Sequence, residues 1–233
     1  MIELSWRDRV AVLTLDRPEK HNALTVELCH GIRGALDEAA AARVVVITGR
    51  GRSFCSGADL DEVYTADFRD ALYAMLHAVT DLPKPVVAAV NGAAIGAGTQ
   101  LAVACDLRVA TAQASFGIPA GRLGLAVDEW TVHRLSALAG AGPARAMLLA
   151  AEVVKGDEAH RLGLVQRLGD LDAALSWADD VAALAPLTIR AHKAALEGAP
   201  DAEAAIGRAW TSDDLQEGLA AFRERRRPVF RAR

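Results

Sequence analysis

At 233 residues the chain is long enough for one large domain or two small ones with a sizeable core. Hydrophobic residues make up 52% and charged residues 24%, which reads as soluble and globular. A formal net charge of -4 offers nothing to nucleic acid or an anionic membrane, and no apolar run is long and unbroken enough to span a bilayer.

Met1 to Leu15 alternates like a strand and carries early charges, unlike a signal peptide. Three cysteines without a C-x-x-C pair argue against a disulfide framework or a structural zinc site. They point to a reducing, cytoplasmic location. Met1–Trp6 and Val10–Leu15 read as a hairpin joined through Arg7-Asp8-Arg9. A polar loop, Asp16 to Ala23, leads to Thr25, a suitable N-cap for a helix running to about Ala41. Val44–Gly49 is apolar throughout, as expected of a strand buried on both faces. Gly51 to Leu60 is a turn of small residues expected to lead into a helix. Phe68, Leu72, Met75, Leu76 and Val79 then mark an amphipathic helix ending near Pro83.

Val86–Val90 predicts a buried strand, broken by Asn91-Gly92. Gly96 and Gly98 follow, where a helix from Ala97 to Cys105 begins. Asp106–Ala110 reads as another strand and Ala114–Gly117 as a short extended piece. From Glu129 the pattern is helical nearly throughout, with a break near Thr211-Ser212. Strands alternating with helices in the first half predict an α/β core. We place a core domain at 1–190 and a helical region at 191–233.

Several chemistries are excluded. There is no P-loop, dinucleotide fingerprint or G-x-S-x-G elbow. The 6 histidines have no ligand spacing, so no metal site is expected. Cys55 and Cys105 sit among small apolar residues and read as packed thiols. What remains is two similar turns, Ser56-Gly57-Ala58-Asp59 and Ile95-Gly96-Ala97-Gly98. Each can offer a free backbone N–H, and two such donors aimed at one oxygen make an oxyanion hole. Each alone also fits an ordinary strand–helix turn.

Together these turns resemble the crotonase (enoyl-CoA hydratase/isomerase) superfamily. The likeness includes Arg17 to Leu24, Phe54 to Leu60, Lys84 to Gly98, Cys105-Asp106, Phe116-Gly117-Ile118-Pro119 and Ala221 to Phe230. It covers nearly the whole chain. The resemblance implies a ββα superhelix with a helical C-terminal trimerisation region, assembled as a trimer or dimer of trimers. It implies an acyl-CoA ligand, with coenzyme A as part of that ligand and no separate cofactor. The thioester oxygen would sit between the N–H groups of Ala58 and Ala97. The ligand would run past Lys20, Ala23, Ser56, Asp59, Leu60 and Gly96, with Phe222 and Arg225 reaching it from a neighbour.

The chain departs from the family pattern at two positions. Where hydratases of the family carry glutamates, this sequence has Gln100 and Ala120. An amide orients a water but cannot move its proton at neutral pH, and a methyl group does neither. Losing both removes general acid–base assistance of ~10²–10⁴-fold per group. In this the chain resembles actinobacterial paralogues lacking both glutamates. Asp128 falls where dienoyl-CoA isomerases and a haloaryl-CoA dehalogenase of the superfamily place an aspartate. It also fits an N-cap of the helix that follows. Trp130 either reshapes the acyl pocket or packs as a core residue. The leading expectation is a fatty acyl-CoA-binding protein of lipid metabolism with weak or absent hydratase activity. The alternatives are an enzyme using Asp128, or weak residual hydration.

Overall fold

The computed structural model describes residues 1–233. Strand β1 (Ile2–Arg7) pairs antiparallel with β2 (Val10–Leu15), with Arg7 opposite Val10. The connection is therefore Asp8-Arg9 alone, with Asp8 left-handed at φ 49°, and Arg7 belongs to the strand. Helix α1 (Val26–Glu38) starts at Thr25, whose hydroxyl accepts from the Leu28 N–H at 3.1 Å. Its apolar stripe, Leu28, Ile32, Ala35 and Leu36, faces the core.

Two strand–strand–helix units follow. The first is β3 (Val44–Gly49), β4 (Ser53–Cys55) and α2 (Ala66–Thr80). The second is β5 (Val86–Val90), β6 (Ala93–Ile95) and α3 (Ala97–Ala104). A third pair, β7 (Leu107–Ala110) and β8 (Ser115–Gly117), leads to α4 (Glu129–Ala139). In each unit the first strand joins one sheet and the second strand joins another. The smaller sheet also takes β9 (Val153–Lys155), giving the order β4-β6-β8-β9. The larger sheet ends on β10 (Arg167–Leu168), giving β1-β2-β3-β5-β7-β10.

The alternation of side chains divides the core. Leu13, Val45, Ile47, Ala88 and Val90 face one apolar cluster shared with α1, α2 and α3. Val12, Val44, Val46, Val87 and Val109 face the other side, covered by α7 (Leu171–Ala182) through Ala174, Ala178 and Ala182. The four-residue spacing of those alanines lets the helix lie flat on the sheet. Burial on both faces explains why β3 reads as continuously apolar.

Two further helices, α5 (Ala141–Leu149) and α6 (Gly156–Arg161), flank β9. The chain ends in α8 (Pro186–Leu196), α9 (Ala202–Trp210) and α10 (Asp213–Glu224), broken at Thr211-Ser212 as the sequence indicates. The division drawn at 190/191 falls inside α8. That helix is bound to the core by Lys193, whose Nζ donates to Asp106 Oδ2 at 2.8 Å and to the Lys84 carbonyl at 3.0 Å. Arg134 of α4 adds a two-pronged contact to Glu197 at 2.6 and 2.7 Å.

Two expectations are corrected. No helix follows Ser56 to Leu60; the chain turns irregularly until Thr65 caps α2 by accepting from the Phe68 N–H. Four short strands, β4, β6, β9 and β10, interrupt regions read as turn or helix, because two or three residues carry no readable period. No helix is long and apolar enough to cross a membrane.

Candidate functional site

The turn between β6 and α3 is made possible by two glycines. Gly96 has φ 55° and ψ -120°, a backbone that side chains rarely tolerate. Gly98 lies against β4 so closely that an added Cβ would stand 2.0 Å from the Cys55 carbonyl oxygen. The start of α3 therefore rests directly on the end of β4. Thr99 holds the other side, its hydroxyl 2.6 Å from the Ala94 carbonyl and accepting the Gly117 N–H at 3.0 Å. Ala97, first residue of the helix, has an N–H with no acceptor in the chain.

The second turn touches the first. Gly57 has φ 117°, and a Cβ there would lie 3.0 Å from the Ile95 carbonyl and 3.9 Å from Ala97 N. The Ala58 N–H likewise has no acceptor. The turn is held from behind by the segment after Pro18. Ser56 N–H donates to the His21 carbonyl, Leu24 N–H to Gly57, and Asp59 N–H to Leu24, all within 3.0 Å. Asn22, fully buried, donates to the Arg50 and Ser53 carbonyls and accepts the Arg17 N–H. Asp59 forms an ion pair with Arg17 at 3.3 Å, and Arg17 also donates to the Ala23 carbonyl. Asp59, Ala23 and Asn22 thus fix the turn's position.

Both unpartnered amides line one cavity of about 510 Å³. Its walls are largely apolar: Leu60, Val63, Phe68, Leu72, Ile95, Ile118, Leu125 and Val127. Ser56, Gly57, Ala58, Gly96, Ala97, Gln100 and Ala120 meet there. No carboxylate, imidazole or thiol lines it; Tyr64, Thr65, Arg69, Tyr73, Ser56 and Gln100 supply its polar side chains. Such a site can hold an apolar chain and offer two N–H donors to an oxygen, but it places no proton-transferring carboxylate on its wall.

Asp128 stands just outside the wall. Its backbone occupies the N-cap position of α4, but its carboxylate makes no cap hydrogen bond. It accepts instead from the Thr131 hydroxyl at 2.5 Å. Thr131 in turn accepts from Gln100 Nε2 at 2.8 Å. Both Thr131 and Gln100 are buried. Tyr73 lies on the cavity side of Asp128, its phenol pushed up by burial and by the nearby carboxylate. Thr131 and Tyr73 belong to no motif, so nothing but their helical position marks them in the sequence.

The other expected residues are dispersed. Trp130 is half-buried and packs on His77 of α2, ring centroids 5.4 Å apart, away from the cavity wall. Lys20 is exposed on a short 3-10 turn, Pro18–Lys20. Phe222, 85% exposed, and Arg225 lie at the end of α10 and do not reach the cavity within one chain. Cys29, Cys55 and Cys105 are buried, and burial pushes each thiol up to about 12, which removes nucleophilic thiolate at neutral pH.

Comparison with known proteins agrees with this architecture. The sequence model of the family described as enoyl-CoA hydratase/isomerase matches residues 6–233. A Mycobacterium leprae protein named "Probable enoyl-CoA hydratase echA6" is 42% identical over 244 residues, covering 99% of both chains. The 2,3-dehydroadipyl-CoA hydratase of Escherichia coli is 35% identical over 253 residues, covering 99% of this chain and 98% of that one. The crystal structure of an enoyl-CoA hydratase from Bacillus anthracis superposes with a TM-score of 0.91 at 29% identity, covering 100% of this chain and 99% of that one. An enoyl-CoA hydratase from Polaromonas gives 0.89 at 32% identity, covering 99% of both. With its paired glycine turns, its strand–strand–helix repeats and this match over nearly its full length, the chain belongs to the enoyl-CoA hydratase/isomerase family, of the crotonase superfamily.

Proposed function

We propose that this chain binds fatty acyl-CoA thioesters in the cytosol, serves lipid metabolism, and hydrates enoyl-CoA weakly or not at all. The observation that carries this reading is the pair of unpartnered amides, Ala58 and Ala97, at the wall of an apolar cavity that bears no carboxylate. The thioester oxygen takes both N–H groups, and the acyl chain lies along Leu72, Phe68 and Val127. Two donors aimed at one oxygen contribute about 3 kcal/mol each where charge develops. With no charge developing, they serve as a carbonyl clamp.

Gln100 and Ala120 stand where family hydratases carry glutamates. Neither can deprotonate water, and no other wall residue replaces them. Coenzyme A then extends toward Ser56, Leu60 and Lys20. Phe222 and Arg225 contribute from a neighbouring copy in a trimer or dimer of trimers. Support for that assembly comes from the apolar surface left open on the last helices, where Trp210 is 70% and Phe222 is 85% exposed. The second reading, proton transfer by Asp128, has one observation in its favour: the carboxylate reaches Gln100 through Thr131.

Titration with acyl-CoAs of rising chain length, beside a crotonyl-CoA hydration assay, tests the proposal. Saturable binding with turnover near background is expected. Efficient hydration by the native protein contradicts it. Turnover that vanishes in Asp128→Asn favours the second reading.

A further inference from the structure

The relay from Asp128 to Gln100 has a fixed polarity. An ionised carboxylate only accepts, so the Thr131 hydroxyl donates to it across 2.5 Å. With its one proton committed, Thr131 Oγ1 has only lone pairs left. It therefore accepts from the Gln100 amide nitrogen at 2.8 Å, and Gln100 cannot flip without losing that bond. The carbonyl oxygen Oε1 is the end left over. It receives no hydrogen bond from the chain, yet it is not sealed: the one sealed, unpartnered side-chain polar atom is Asn91 Oδ1. Gln100 is only 3% exposed and lines the cavity, so the open surface of its acceptor belongs to the cavity.

Gln100 follows Ala97 by three residues on α3, which sets it about 4.5 Å further along the helix axis on the same face. An acyl chain whose thioester oxygen meets Ala97 passes this acceptor at its first carbons. Ala120 adds only a methyl group there. Tyr73, the other polar group near the relay, both donates and accepts and so does not discriminate.

We propose that Asp128 and Thr131 are positioning residues that hold Gln100 as a hydrogen-bond acceptor, and that the site consequently prefers acyl-CoA ligands bearing a hydroxyl on the carbons next to the thioester. This rests on the acyl-CoA reading above. A hydroxyl satisfies Oε1, while a saturated chain leaves it facing methylenes, a difference of about 3–10-fold in affinity.

The experiment is calorimetric titration of the full chain with octanoyl-CoA and with 3-hydroxyoctanoyl-CoA. The native protein binds the hydroxylated ester about 3–10-fold tighter. Asp128→Asn removes the polarity of the relay, because an amide can present either end to Thr131. Its preference falls to within about twofold. Thr131→Val loses the preference in the same way, and Thr131→Ser, which keeps the hydroxyl, retains it. Equal affinities in the native protein overturn the inference, as does a preference that survives Thr131→Val. Binding of neither ester by the native protein overturns the acyl-CoA reading itself, and this inference with it.

Discussion

Gly98 seats helix α3 on Cys55: a Cβ at position 98 would lie 2.0 Å from the Cys55 carbonyl oxygen. The clashing atom is backbone, so no side chain can swing away. Gly98→Ala forces α3 and β4 apart and with them the Ala97 and Ala58 amides. We expect a loss of about 3 kcal/mol in stability, at the upper end for overpacking. Acyl-CoA affinity falls along with it. Urea denaturation and ligand titration on the same variant check both effects. A variant with native stability and affinity would show that the contact is slack.

Gln100 and Ala120 line the same cavity. A carboxylate placed at each of the two positions supplies groups able to take up and return a proton of water. Gln100→Glu with Ala120→Glu is expected to raise crotonyl-CoA hydration by at least about 10²-fold over native. Each single replacement gives less. Steady-state assay of the three variants checks this, and a double variant no faster than native contradicts it.

Lys193 and Asp106 join the last helices to the core. Asp106 Oδ2 accepts from Lys193 Nζ at 2.8 Å and from the Val86 N–H at 2.7 Å. Burial raises the Asp106 carboxyl and the Lys193 charge opposes that rise. Lys193→Met leaves the carboxylate buried without its cation and is expected to cost about 3 kcal/mol. Chemical denaturation at neutral pH measures it. A change below about 0.5 kcal/mol, as for exposed pairs, contradicts the assignment.

The three buried thiols give a pH dependence. In the fold each is pushed from its ordinary 9.0 up to about 12 by burial. Above pH 9 the unfolded chain releases these protons while the folded chain keeps them, so stability falls as pH rises from 9 toward 12. Below 9 both states are protonated and the thiols add no slope. Denaturation midpoints at pH 8 and pH 10.5, compared with a Cys29→Ala, Cys55→Ala, Cys105→Ala variant, are expected to diverge at the higher pH only. Equal slopes in the two proteins refute it.

Much of this architecture is legible in the sequence because it is written in repeated local signals. The apolar runs of β3 and β5 and the glycines at 57, 96 and 98 predict where backbone approaches backbone. Ala58, Ala97, Gln100 and Ala120, each in a short local motif, line one cavity. What escapes is set by distant partners. Arg108 reads as an ordinary strand residue, yet it is fully buried and donates to the Leu164, Ala102 and Cys105 carbonyls. Lys193 looks like a solvated helix residue until α8 is packed on the sheet. Asp128 fits a cap by spacing, but its hydrogen bond is decided by Thr131. None of these contacts leaves a period or a motif.

The central claim is that the Ala58 and Ala97 amides hold the thioester oxygen. It is tested by comparing octanoyl-CoA with S-octyl-CoA, a thioether of similar length without the carbonyl. The account predicts binding of the thioether weaker by about tenfold or more, since two donors are then left unmet. Equal affinity for the two ligands would contradict it.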